Sequence, residues 1–253
     1  MQYAEDLLEW FRNGDSVWFD HGDAVEYLAA SHPRTMFVKS LRRHAVLLDV
    51  GAGNGSLEVL RDWPSPCRRD LKFLAYAMDQ GERFCHYDQF ELGEWPNRKP
   101  TFDNIQFDAI VSSHFIEHID DPDEFIDWMA DRLQLGGRVY VEWPSEVSLE
   151  LPESAYFRER DVPIMISNFF DDNTHKQIPE RAEVCRRFEQ NGMRILQQGT
   201  ISNPFVEQEL LAHHKLGMAS AFDVQSAFWS HTGWAQFVVA SKAEVVRSEL
   251  FDR

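Results

Sequence analysis

Apolar residues recur at two different spacings along this chain, and the alternation between them predicts most of its elements. Leu7, Leu8 and Phe11 share one helical face, and 23–30 and 35–43 carry the same spacing, so 1–44 is expected to be a helical N-terminal extension. AVLLDV at 45–50 is short, apolar and closed by glycine, which predicts a buried strand. Leu57, Leu60 and Trp63 then fall at helical spacing until Pro64 and Pro66 stop the helix. FLAYAMD at 73–79 and FDAIVSS at 107–113 predict two more strands. Asp120, Asp121 and Pro122 signal a helix start. Its face is Phe125, Ile126, Met129 and Leu133, and Gly136 and Gly137 are expected to end it. RVYVEW at 138–143 is a strand, Val184, Cys185 and Phe188 line a helix closed by Asn191 and Gly192, and 193–201 and 234–241 are strands. Strands that alternate with helices imply an α/β fold, a parallel sheet covered on both faces.

The turn after the first strand, GAGNG at 51–55, concentrates three glycines where backbone must come close to something. Between a strand and its helix, such a turn brings main-chain groups up to a ligand. The dinucleotide pattern G-x-G-x-x-G would need a glycine at Ser56, which disfavours a nicotinamide-dependent oxidoreductase. Asp49, at the strand's end, suits a ligand with a positive amine. A purely structural turn is the competing reading.

Charge and composition then narrow the class. A formal charge of −17 repels nucleic-acid phosphates and anionic lipid, so no nucleic-acid partner is expected. No apolar run approaches the roughly 18 residues a membrane helix needs, so no membrane span is expected. The N-terminus is acidic and amphipathic, unlike a secretory signal, and the three cysteines form no disulfide or zinc pattern. A reducing cytoplasm fits these features best.

LLDVGAGNG and FDAIVSSHFIEHIDDPDEFIDWMADRLQLGGRVYVEWP together resemble the class I S-adenosylmethionine (SAM)-dependent methyltransferases, of the type 11, 12 and 23 kind. The resemblance covers 45–143 firmly and 180–241 in outline. A shorter stretch, NFFDDNTHKQIPERAEVCRRFEQNGM, is similar to a segment of methyltransferases found with glycan assembly. The resemblance implies a Rossmann-like, doubly wound, mostly parallel seven-stranded sheet in a single domain over 1–253. It also implies SAM as cofactor. Asp49 and the loop Gly51, Ala52, Gly53, Asn54 and Gly55 would surround its methionine part. Asp79, with Gln80 beside it, would take the ribose hydroxyls. Asp88 would reach the adenine, with Trp95 as an alternative cover, and Ser112 and Ser113 would bring backbone near the sulfonium. The chain departs from the family pattern between Asp79 and Asp88, where only QGERFCHY stands in place of a helix and strand, so FCHYD is expected to be a shortened third strand.

A hydroxyl acceptor must also lose a proton, and histidine titrates in the right range. Among ten histidines, His175 and His114 are the candidate bases, with His118 third. Asp171, Asp172 and Asn173 offer oxygens that suit magnesium or calcium, yet they read as a helix-capping turn, and no metal is expected. Segments 144–179 and 202–233 are expected to cap the substrate, and the second could equally be a packing arm or an oligomer contact. The function expected is methyl transfer to a small-molecule acceptor, such as a sugar hydroxyl. The alternatives are a nitrogen or carbon acceptor, or an inactive SAM-fold scaffold.

Overall fold

The computed structural model describes residues 2–13 and 17–242. Three helices precede the sheet: α1 (Gln2–Arg12), α2 (His21–Ser31) and α3 (Pro33–Lys39). His32 caps α3 by accepting the Arg34 N–H, and Pro33 occupies the first turn, where its missing N–H costs nothing. The alternation that follows is β1 (Val46–Val50), β2 (Lys72–Ala77), β3 (Gln89–Leu92), β4 (Phe107–Ser113), α4 (Pro122–Arg132), β5 (Leu133–Pro144), α5 (Ser154–Arg158) and α6 (Arg181–Gln190). It closes with β6 (Met193–Thr200), α7 (Pro204–Lys215), α8 (Ala221–Thr232) and β7 (Ala235–Lys242).

The seven strands run β3-β2-β1-β4-β5-β7-β6, and only β7 is antiparallel to its neighbours. Strand order reverses between β1 and β4, which opens a crevice beyond the carboxyl ends of both. Alternate strand residues feed opposite faces. Leu48, Val50, Ile110, Val139 and Val141 pack with Phe125, Met129 and Phe188 of α4 and α6. Leu47, Ala109, Val111, Tyr140 and Phe237 pack with Phe37 and Val38 of α3. A third cluster joins α7 and α8 to the N-terminal helices through Leu7, Leu8, Ala24, Leu210, Leu211, Val224 and Phe228. The segment 202–233 is therefore a helical hairpin packed on the N-terminal extension. Glu209 fixes the approach to α2 by accepting the N–H groups of Trp18 and Phe19.

Three expectations are corrected. The helix expected over 56–63 is a 3-10 turn, Ser56–Arg61. Gly136 and Gly137 do not end α4: Leu133 caps it and already pairs with Phe107, so the glycines lie inside the irregular start of β5. FCHYD is not the third strand. Phe84–His86 forms a 3-10 turn and the strand starts at Gln89.

Candidate active site

Three left-handed glycines shape the loop after β1, with φ of 77° at Gly51, 52° at Gly53 and 87° at Gly55. The N–H groups of Gly51 and Ala52 both donate to the Tyr76 carbonyl, which ties the loop's first turn to β2. A Cβ on Gly51 would stand 2.7 Å from the Phe115 ring. At Gly53 a Cβ would meet only its own loop, 4.0 Å away at the Gly51 carbonyl, so that side is open. Gly81 presses on the other side, where a Cβ would stand 2.4 Å from the Gly53 carbonyl. That contact brings the exposed Asp79 and Gln80, just past β2, up to the same loop. Among the described residues no side chain bonds the Asp79 carboxylate.

The crevice holds a cavity of about 850 Å³, walled by Asp49, Gly53, Arg34, His114, Glu142 and Trp229 among others. Asp49 is buried at the end of β1 and accepts the Tyr87 hydroxyl at 2.5 Å. Burial pushes its carboxyl up to about 6, against the pull of Tyr87 and Arg34. Ser112 is buried, whereas Ser113 accepts from the Arg34 guanidinium at 2.5 Å. His114 follows in the left-handed region, φ 53°, with its N–H on the Glu142 carbonyl. Its Nε2 is 3.0 Å from Glu142 and its Nδ1 3.3 Å from Glu117, both buried carboxylates. Burial opposes a charge on His114, but the two glutamates outweigh it and hold the imidazole pushed up to about 9. Burial likewise opposes charge on Glu142, yet Arg34 foremost, with His114, holds its carboxyl well below the usual range. Burial holds His32 down at about 4. A neutral His32 fits its Nδ1 accepting from Arg34.

Asp49, Gly51, Ala52, Gly53, Asn54, Ser113 and His114 thus meet in one cavity wall. Asp88 does not join them. It precedes β3 at the amino end of the sheet, where its carboxylate accepts the Phe73 N–H and binds Arg61. Trp95 is a core residue, edge-on to Phe125 and Trp128. His175 lies outside the cavity wall, stacked on Phe169 and close to His118, with ring centroids 4.8 Å apart. Asp171 caps its turn as expected, accepting from Ser154, Ser167 and Asn168 N–H groups. Arg34, His32, Glu142 and Trp229 escaped the sequence reading. A signal existed only for Glu142, a charged residue inside the apolar run RVYVEW.

No helix among the described residues is long and apolar enough to cross a membrane. Residues 21–198 match the family described as "Methyltransferase domain". Among solved structures, the chain is similar to an Archaeoglobus fulgidus SAM-dependent methyltransferase at 14% identity, covering 88% of this chain and 100% of that one, TM-score 0.53. It is similar to a chain of the complex between the Haloferax volcanii Trm112 methyltransferase activator and a protein assigned as a methyltransferase. That match has 16% identity, covers 88% of this chain and 91% of that chain, and has a TM-score of 0.54. It is similar also to the CurJ carbon methyltransferase at 14% identity, over 83% of this chain and 54% of that chain, TM-score 0.50. No curated protein matches the sequence.

Proposed function

The chain belongs to the methyltransferase-domain family, as a SAM-dependent enzyme, and from that premise we propose that its acceptor is a hydroxyl oxygen of a small, polar molecule such as a sugar. The observation that carries the reading is the cavity: about 850 Å³, shared by the glycine loop on one side and by polar groups on the other. A space of that size suits a small ligand. Trp229 offers a flat face, while Arg34, Gln198 and Asn203 offer donors to several hydroxyls. The charge of −17 supports the same reading over a nucleic-acid acceptor.

The residues present fit SAM. Asp49 supplies a buried carboxylate for the amino group, the open side of Gly53 admits the methionine part, and Asp79 has both oxygens available to ribose hydroxyls. Bound SAM supplies an electrophilic methyl group on a sulfonium. Transfer by in-line displacement asks alignment and exclusion of water from the protein. His114 is not a ready base: with a pKa of about 9 it is already protonated at neutral pH, and both its ring nitrogens face the buried Glu142 and Glu117.

The test is a panel of nucleotide-linked and lipid-linked sugars with methyl-labelled SAM. The reading expects label in an ether of one acceptor class. Label on nitrogen or carbon, with sugars inert, would overturn it.

A further inference from the structure

Glu117, His118 and His175 each present one ligand atom, all within 4.8 Å of one another. Their chemistry is that of a metal site. Glu117 is 0% exposed, and neither carboxylate oxygen has a hydrogen-bond partner among the described residues. His114 Nδ1, 3.3 Å away, is its nearest ionic neighbour. The His114 imidazole faces Oε1 only, so Oε2 is left without a polar partner, a costly state for an oxygen of a buried carboxylate.

The two histidines have their free nitrogens set by their partners. His175 Nδ1 sits 2.6 Å from the Phe169 carbonyl, which only accepts, so Nδ1 carries a proton, and in the neutral ring Nε2, 3.9 Å from the Asp172 carboxylate, keeps its lone pair. Thr174 donates its one hydroxyl hydrogen to Asp172 at 2.6 Å and therefore accepts from His118 Nδ1 at 2.9 Å. His118 Nδ1 is then the donor, and in the neutral ring its Nε2 keeps the lone pair. A ring held by a donor bond from its other nitrogen is how proteins orient metal-binding histidines. The backbone is stapled as well. Lys176 and Gln177 N–H groups both donate to the Glu117 carbonyl, and the Gln177 side chain donates to Ile119 and Asp120 carbonyls. These bonds hold the His175 segment against the turn Ile116–His118.

We propose that Glu117, His118 and His175 bind a divalent first-row transition cation such as Co²⁺, Zn²⁺ or Mn²⁺ beside the cavity. Two imidazoles and one carboxylate suit such ions better than magnesium or calcium, which prefer all-oxygen shells. Bonds of about 2.0–2.2 Å place ligand atoms no more than about 4.2 Å apart, so the ion draws the three inward by small side-chain rotations. Three protein ligands leave at least one coordination position open. A cation there lowers the pKa of a bound hydroxyl. That use rests on the oxygen-acceptor reading above, whereas the site itself does not.

The chelator-treated chain is titrated with Co²⁺ and followed by visible absorption, then with Zn²⁺ in competition. One equivalent of Co²⁺ should bind and Zn²⁺ should displace it. His118→Ala and His175→Ala should each weaken Co²⁺ binding at least tenfold. Thr174→Val, at an exposed position, keeps all three ligands and should weaken it 10–100-fold, so it carries the test if a histidine variant fails to fold. Absence of stoichiometric Co²⁺ and Zn²⁺ binding by the parent, or equal binding by all variants, overturns the site. S-adenosylhomocysteine affinity, measured alongside by calorimetry, should stay unchanged in every variant. Its absence in the parent would count against the methyltransferase reading and not against the cation.

Discussion

Asp49 should make this fold lose stability as pH rises, and removing its charge should reverse that. The residue is only 5% exposed, and burial pushes its carboxyl up to about 6, above the ordinary carboxylate range. In the unfolded chain it ionises near 3.9. The folded state therefore binds more protons between about 4 and 6. The stabilisation is fully present below about 4 and is lost as pH climbs through 6. At about 1.4 kcal/mol per tenfold change in proton affinity, the interval amounts to up to about 3 kcal/mol. Asp49→Asn keeps an acceptor for the Tyr87 hydroxyl and removes the titration. Urea unfolding of ligand-free parent and variant across pH 4–8 gives the difference directly, because the other groups cancel. The variant should match the parent near pH 4 and exceed it above pH 6 by up to about 3 kcal/mol. A difference that stays constant over that range would refute the burial argument. The same variant should bind SAM at least tenfold more weakly at pH 7.5, having lost the partner of the amino group, and the parent's own affinity should fall below pH 6.

Asp79→Ala should lower SAM affinity at least tenfold by calorimetry, since two charge-assisted hydrogen bonds of about 1.5–3 kcal/mol each are lost, while the exposed position leaves the melting temperature unchanged. Gly51→Ala puts a Cβ 2.7 Å from Phe115 on a φ of 77°, and should cost at least about 1–2 kcal/mol, read as a melting temperature lower by several degrees. Phe228→Ala empties the contact between the α7–α8 hairpin and Phe157, where the rings lie 5.2 Å apart, and should cost about 3–5 kcal/mol in urea unfolding.

Local chemistry explains which parts were legible in the sequence. FDAIVSS carries the apolar run Ala109, Ile110 and Val111 between Asp108 and Ser112, and β4 spans those same seven residues. Asp121 accepts the Glu124 N–H ahead of Pro122, as an acid–proline start implies. The glycine loop is legible because left-handed backbone calls for glycine, and Asp79 because an acid stands just past the apolar run of β2. Asp88 was misplaced because the shortened 79–88 segment gives no periodicity to locate β3, and the chain uses that acid to bind Arg61. Trp95 reads the same in a core as over a ligand. Arg34, Glu142 and His114 meet only through the packing of α3 on β4 and β5. His118 and His175 are likewise joined by backbone hydrogen bonds between distant segments, which no spacing rule reveals.

A thermal melt with candidate cofactors tests the central claim most directly. At about 100 times its dissociation constant, SAM or S-adenosylhomocysteine should add about 2.7 kcal/mol, a shift of roughly 5–10 °C for a chain of this size. NAD and NADP should give no shift. A shift with NAD alone, and none with SAM or its demethylated product, would contradict the account.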